Sequence, residues 1–236
     1  MDRAQHDLLS LLLNAVCFAF IVAFLLRYIF FRGSDLEKKR CDELSAVARK
    51  LNLHFNPDTD FKLAEQFAFL SRLRQGDTRF AYNVFRGYHA GFPVLIFDYH
   101  FAIYIAGNKG VVNKCDFYWS VLILEMKTHF PDITIGPENW RSRLAEMVGK
   151  AEISFESAEF SHAFRVRTSD KKFAFDVCHP RMMEYLLANC DLAIEIEGPA
   201  LALIFETWLR PSEVERNLSR LIEIRKLLPE YLITKT

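Results

Sequence analysis

The 236-residue sequence has no excess of charge of either sign, since 30 lysines and arginines balance 30 aspartates and glutamates. Nucleic-acid-binding domains usually carry a clear basic excess, so this balance argues against a nucleic-acid partner. Glycine and proline are scarce, at 9 and 8 residues, which excludes a collagen-like or low-complexity chain. Hydrophobic residues make up 51% of the sequence, and this proportion excludes an intrinsically disordered chain.

The sequence also lacks the short motifs of well-known catalytic and nucleotide-binding sites. It contains no G-x-x-x-x-G-K-[ST], G-x-G-x-x-G, G-x-S-x-G or H-E-x-x-H. The five cysteines form no C-x-x-C pair, which is typical of reduced thiols in a cytosolic protein, although a disulfide-bonded exported domain is an alternative. We therefore predict no catalytic residues, no cofactor and no metal site.

Phenylalanine, in contrast, is abundant. The sequence has 22 phenylalanines, which is roughly twice the number that an average composition would give. Part of this surplus lies in an apolar segment near the start of the chain. The rest can form a core, line a pocket or provide a docking surface, and the sequence leaves these three roles open.

A long apolar run near the N-terminus predicts a membrane anchor. Residues 8–26 read LLSLLLNAVCFAFIVAFLL, without a charge, and apolar side chains continue to Phe31. A helix of about 20 apolar residues spans a bilayer core. We therefore predict a transmembrane segment from about Leu8 to Phe31, within an anchor at residues 1–33. A cleaved signal peptide is the alternative, but small residues, rather than Tyr28 and Phe30, should then follow the run.

The distribution of basic residues predicts the orientation of this segment. The N-terminal flank has only Arg3, whereas the C-terminal flank carries Arg27, Arg32 and the cluster Lys38-Lys39-Arg40. Flanks rich in lysine and arginine remain in the cytoplasm. We therefore expect a single-pass protein with its N-terminus outside and the domain of residues 34–236 in the cytoplasm.

The domain of residues 34–236 has the pattern of a soluble α+β domain with a mainly antiparallel sheet. Helical spacing predicts helices after Ser34, which can cap the first of them, over Phe61–Arg74, after Pro137, after Pro180 and after Pro211. In the helix after Pro180, Met183 and Leu187 are expected on the apolar face. Aromatic and β-branched runs predict strands over Phe80–Gly87, Phe92–Phe101, Phe117–Met126, Ala151–Phe155 and Leu192–Glu197. A hairpin turn at Tyr88–Gly91 is expected between the first two, and a further short strand at Ile133–Ile135. Glu195 and Glu197 are interpreted as the solvent face of the last of these strands, and Gly198-Pro199 as the turn that follows it.

A short internal similarity hints at duplication. Pro137 and Pro180 each precede a helical pattern and then a strand, at similar offsets. If the similarity reflects duplication, the fold contains a repeated strand–helix–strand unit. The domain would then divide into sub-halves 34–136 and 137–236.

Few side chains stand out as chemically active. Asp98 and His100 share one face of a predicted strand, while Tyr99 lies on the other face among aromatic residues. Cys178 and His179 are adjacent, but neighbouring residues point in different directions, so this pair is weak evidence for a nucleophile and its base. The interpretation that we favour for Asp98 is an exposed edge, or a hydrogen bond to a loop.

Several short motifs resemble one family of bacterial proteins. They read NVxxG, GxPVxxFDY and FAxDVxHPRMME, from Asn83 to Glu184, within a resemblance that covers roughly residues 45–200. The family combines an N-terminal membrane helix with a soluble α+β domain and has no established activity. The resemblance implies a membrane-associated bacterial protein. The motif residues that we take as candidate interaction residues are Asn83, Gly87, Asp98, Tyr99, Asp176, His179 and Arg181.

Three functions are compatible with these features. The first is a non-enzymatic interaction or scaffold module, anchored in the bacterial inner (cell) membrane and bound to a protein partner there. The second is a small-ligand or lipid-sensing domain with an aromatic-lined pocket. The third is an enzyme of an unfamiliar type, which requires a polar cleft where Asp98, Asp176, His179 or Arg181 converge.

Overall fold

A computed structural model of the chain describes residues 36–106, 111–138 and 151–234. The chain divides into two compact units, Met1–Leu44 and Ser45–Thr236. In the first unit the described residues are helical, and Lys39 pairs with Glu43 one turn later, at 4.0 Å. Apart from the helix that begins at residue 36, the elements described below belong to the second unit.

The described residues form seven strands and seven helices. The strands are β1 (His54–Asn56), β2 (Asp77–His89), β3 (Phe92–Ala106), β4 (Val112–Pro137), β5 (Ala151–Ile153), β6 (Phe164–Thr168) and β7 (Ile194–Phe205). The helices are α1 (36–50), α2 (Phe61–Gln66), α3 (Ala158–Ala163), α4 (Lys171–Val177), α5 (Pro180–Leu187), α6 (Pro211–Leu227) and α7 (Glu230–Ile233).

The seven strands form one sheet in which every pairing between them is antiparallel. The long strand β4 organises this sheet. Its first part pairs with β3, its last five residues pair with β6, and β7 pairs with it from Ser120 to Ile135. The order β1-β2-β3-β4 continues to β6 and β5, with β7 attached to β4 outside this path.

The sheet is covered on both faces. On one face, residues of β2, β3, β4 and β7 pack against α2 and the turns that follow it. This core contains Tyr99, Phe101, Trp119 and Ile204, together with Leu70 and Leu73 from the turns. On the other face, α6 contacts β4 and β7. A hydrogen bond from Leu209 to Ser120 fixes the start of α6 there.

The predicted fold class is confirmed as a mixed α+β fold with a mainly antiparallel sheet and several helices. The hairpin at Tyr88–Gly91 is confirmed, and the third predicted strand is part of the longer β4, which also includes the expected short strand at Ile133. Helix α4 was not predicted. Helix α5 starts at Pro180 as expected, but it buries Met182 and Leu186, one position before the predicted Met183 and Leu187.

Three predictions about local structure are wrong. The helix predicted over Phe61–Arg74 ends at Gln66, although Leu70 and Leu73 remain fully buried in the turns that continue it. Gly198-Pro199 does not turn the chain, because β7 runs through both residues with a register shift against β4. Glu195 is not on a solvent face: its exposed fraction is 0%.

Some predictions fall outside the described residues. They are the membrane anchor, the Ser34 cap and the helix after Pro137, and the proposed duplication depends on the last of these. Among residues 36–106, 111–138 and 151–234, no helix is both long enough and apolar enough to cross a bilayer.

Candidate functional site

A chain of buried and partly buried hydrogen bonds connects three strands of the sheet to the segment before α6. Asn83 has a left-handed φ of 50° at a bulge in β2, and its Nδ2 donates to Asp98 Oδ2 at 2.9 Å. Ser120 Oγ donates to Asp98 Oδ1 at 2.7 Å and accepts from the Leu209 backbone N–H at 2.9 Å. We call these four groups the polar bridge. It corrects the expectation of an exposed Asp98, which is 5% exposed.

The polar bridge lies beneath a group of partly exposed aromatic side chains. Trp208, just before Leu209, donates a hydrogen bond from Nε1 to Tyr82 Oη at 2.6 Å. The rings of Trp208 and Tyr118 lie 5.2 Å apart. Trp208 and Tyr118 remain 44% and 43% exposed. We call Tyr82, Tyr118 and Trp208 the aromatic surface. It is an ordered set of aromatic rings on the α6 face of the sheet.

Charged residues border this surface. The His100 ring lies 5.0 Å from the Tyr118 ring, and its Nε2 is 2.7 Å from Asp116 Oδ1. Lys114 Nζ is also 2.7 Å from Asp116 Oδ1. Hydrogen bonds from Lys114 and then from His100 hold the pKa of Asp116 below its usual range. The border therefore contains an ionised carboxylate between two basic side chains.

Two other candidate interaction residues, Tyr99 and Gly87, contribute to the packing of the domain. Tyr99 lies on the opposite face from Asp98, fully buried, and its hydroxyl donates to the Leu73 carbonyl. Burial raises the pKa of this hydroxyl. A Cβ atom at Gly87 would lie 2.9 Å from Leu53 Cδ2, so this glycine allows close packing.

Asp176, His179 and Arg181 lie around the junction of α4 and α5, away from the polar bridge. The His179 Nε2 is 2.8 Å from the Leu227 carbonyl at the end of α6. A hydrogen bond with Asp176 raises the pKa of Tyr231, and Arg181 is exposed. Because the polar bridge meets the start of α6 and His179 meets its end, about 25 Å separates these two groups. The convergence required for the enzyme hypothesis is not found.

A cleft of about 230 Å³ opens on the other face of the sheet. We call it the aromatic cleft, and its lining residues are Arg72, Gln75, Phe101, Ile103, Phe117, Trp119 and Glu206. Arg72 Cζ lies 5.4 Å above the Trp119 ring, and Arg72 Nη2 donates to Glu206 Oε1 at 2.7 Å. The rings of Phe101 and Phe117 are stacked at 5.0 Å. The cleft thus combines an aromatic wall with an ion pair.

Glu195 holds the segment that supplies Arg72. Its Oε1 accepts from the Ser71 backbone N–H at 2.7 Å and from the Ser71 hydroxyl, and its Oε2 accepts from the Arg72 N–H at 3.2 Å. Gly76 ends this segment with a φ of 63°, where a Cβ atom would meet the Ala102 carbonyl oxygen at 2.4 Å. The hydrogen bonds to Glu195 and the close approach at Gly76 together hold the segment that contains Arg72 against the sheet.

The electrostatics of the cleft are balanced. Burial lowers the pKa of Arg72, and the carboxylates of Glu206 and Glu195 oppose this effect. The positive charge of Arg167 also acts on Arg72. Within the described part of the chain, no group of three or more His, Cys, Asp or Glu side chains could hold a metal ion.

Sequence reasoning missed the residues that organise both regions. Trp208 follows the last strand, in a stretch without periodicity. Arg72 lies within the continuous helix that the pattern predicts over Phe61–Arg74, and Gln75 directly follows it. The aromatic surplus was the available signal. It contributes to a core, to a cleft and to a surface together, so composition alone could not separate these roles.

The sequence matches no protein-family model and no curated protein. One solved structure has a similar fold: the crystal structure of the mycobacterial trehalose monomycolate transport factor A, TtfA. The TM-score is 0.59 at 13% sequence identity, and the match covers 80% of this chain and 96% of that chain. At this identity the similarity shows a shared fold.

Proposed function

We propose that the chain is a membrane-anchored, non-enzymatic interaction module that docks a protein partner through the aromatic surface. In this proposal, residues 1–33 anchor the chain in a bacterial inner membrane, with the α+β domain in the cytoplasm. The anchoring raises the effective concentration of the domain for partners in the same membrane.

The observation that carries the proposal is the ordered exposure of Trp208 and Tyr118. Trp and Tyr contribute most often to binding energy at protein interfaces, because they bury a large area and retain a polar group. Here the hydrogen bond to Tyr82 and the ring contact hold them in place before any partner binds. Such preorganisation reduces the entropy cost of docking.

The structural similarity adds a context for this docking. The name of the similar protein describes a transport factor for trehalose monomycolate, a lipid. We propose by analogy that the partner belongs to machinery that handles membrane lipids. The resemblance to membrane-anchored bacterial proteins supports the same cellular location.

Site-specific photo-crosslinking in native membranes tests this function. A photoreactive amino acid replaces Trp208 in one full-length variant and Phe175 in a matched control. Phe175 is also 44% exposed but lies on α4. We expect a defined protein adduct from position 208 and none from position 175.

A second substitution tests whether the surface itself binds. Adding Tyr118→Ala to the position-208 variant should abolish the adduct, because it removes the ring beside the probe. The same adducts from both positions, or lipid adducts alone from position 208, would contradict a protein-docking function.

A further inference from the structure

We propose that the aromatic cleft binds a neutral, hydroxylated ring of the sugar class, either as a free sugar or as the headgroup of a glycolipid. This site lies on the opposite face of the sheet from the aromatic surface. It therefore does not depend on the docking function, and either proposal can fail without the other.

The cleft contains a hydrogen-bond donor without a partner among the described residues. Gln75 is 7% exposed and lines the cleft, and its buried Nε2 has no hydrogen-bond partner among the described residues. Buried amide groups in folded proteins almost always have a partner, and each exception requires an explanation. A ligand oxygen in the cleft would supply the missing acceptor.

The aromatic wall of the cleft suits the apolar face of a sugar ring. Trp119, Phe101 and Phe117 present aromatic carbon to the cavity. The C–H face of a sugar ring packs on such surfaces while its hydroxyl groups remain free at the ring edge. Arg72 and Gln75 offer donors to those hydroxyl oxygens. Glu206, whose side chain is 37% exposed, offers an acceptor to their hydrogens.

The charges in and around the cleft favour a neutral ligand. Arg72 already pairs with Glu206 at 2.7 Å, and the charges of Glu195 and Arg167 also act on it. The two charged residues that line the cleft, Arg72 and Glu206, give it no net charge. An anionic ligand would have to displace Glu206 from Arg72, whereas a neutral polyol can bind both groups as they stand.

The size of the cleft limits the ligand. Pockets for drug-sized molecules usually enclose roughly 300–1,000 Å³, and this cleft encloses about 230 Å³. That volume suits one small ring. A longer molecule would place a single ring inside and extend the remainder past the partly exposed Ile103 and Glu206.

Calorimetric titration of the full-length chain, in a polyoxyethylene detergent that carries no sugar, tests the proposal. The free-sugar probes are glucose and maltose, and the lipid probe is a monoglucosyl diacylglycerol in mixed micelles. Octyl glucoside and octyl phosphate, both below their micellar concentrations, compare a neutral with an anionic headgroup on the same tail. We expect octyl glucoside to bind at least tenfold more tightly.

Two glutamine variants make the test specific. Gln75→Leu removes the unpartnered donor and should weaken binding of the sugar probe about tenfold, while the unliganded protein melts at the same temperature or higher. Gln66→Leu makes the same substitution at an exposed position of α2 and should leave binding unchanged. Phe117→Leu keeps an apolar wall without its ring and should also weaken binding.

Each outcome decides the question. Binding of glucose or maltose supports a free-sugar site, and binding of the glucosyl lipid alone supports a headgroup site. Three results would overturn the proposal. The first is no binding of any sugar probe to a chain whose melting temperature shows that it is folded. The others are tighter binding of octyl phosphate than of octyl glucoside, and unchanged binding of the sugar probe by the Gln75→Leu variant.

Discussion

Glu195 is a fully buried carboxylate, and we predict that Glu195→Ala strongly destabilises the domain. The carboxylate accepts hydrogen bonds from the backbone N–H groups of Ser71 and Arg72, and from the Ser71 hydroxyl. Its charge also acts on the buried guanidinium of Arg72. Alanine would remove these interactions together.

The expected loss of stability depends on the buried donors that would lose Glu195 as their acceptor. Each buried donor without an acceptor costs about 1–3 kcal/mol, and the two backbone N–H groups cannot rotate towards another acceptor. Removal of one member of a buried charge network usually costs about 3–5 kcal/mol, which we adopt here. For a domain of this size, the melting temperature falls by about 2–4 °C per kcal/mol, so we expect a decrease of about 6–20 °C.

Thermal unfolding of the full-length chain, followed by circular dichroism, measures this decrease. Glu184→Ala is the matched control, because Glu184 is exposed on α5, and it should change the stability by less than about 0.5 kcal/mol. Hydrogen exchange supplies a local measurement: the amides of Ser71 and Arg72 should lose protection in the Glu195 variant. A loss below about 1 kcal/mol, or unchanged protection of both amides, would refute the reasoning.

Two other predictions concern ionisable groups. Burial raises the pKa of Cys178 to about 12, so alkylation followed by mass spectrometry should modify the exposed Cys190 in the native protein and Cys178 after denaturation; equal labelling of both would contradict the structure. Hydrogen bonds from Arg220 lower the pKa of Asp191 below its ordinary 3.8, so this pair stabilises the fold above that value and the contribution is lost as the pH falls through the lower, folded-state pKa. Asp191→Asn should therefore reduce the acid dependence of urea unfolding below about pH 4, and an unchanged dependence would contradict this assignment.

Patterns that depend on local geometry were predictable from the sequence. The alternation around Asp98 placed Phe97, Tyr99 and Phe101 on one face, and the structure buries all three in one core. Pro180 correctly marked the start of α5, since proline fits the first turn of a helix. The predicted buried face of that helix was wrong by one residue. In a helix of only eight residues, the apolar pair Met182 and Leu186 and the apolar pair Met183 and Leu187 have the same spacing, so the pattern does not separate them.

Features that depend on distant contacts were not predictable. The spacing of Leu70 and Leu73 is helical, yet the helix ends at Gln66 because β7 supplies Glu195 to bind the backbone of the next turn. In the sequence alone, Glu195 occupies a polar position in the alternating pattern of an amphipathic strand, which predicts that it faces solvent. Its burial is explained by the hydrogen bond from Ser71, which is 124 residues away in the sequence.

Strand β3 supplies side chains to both proposed sites, because successive residues of a strand point to opposite faces of the sheet. Phe101 lines the aromatic cleft, while Asp98 and His100 lie under or beside the aromatic surface. A one-residue slip of β3 would exchange the two sets, so the bulge at Asn83 and its hydrogen bond to Asp98 fix the register on which both sites depend. Loss of that hydrogen bond without a slip would disturb only the α6 face, which is why the two proposed functions can be tested independently.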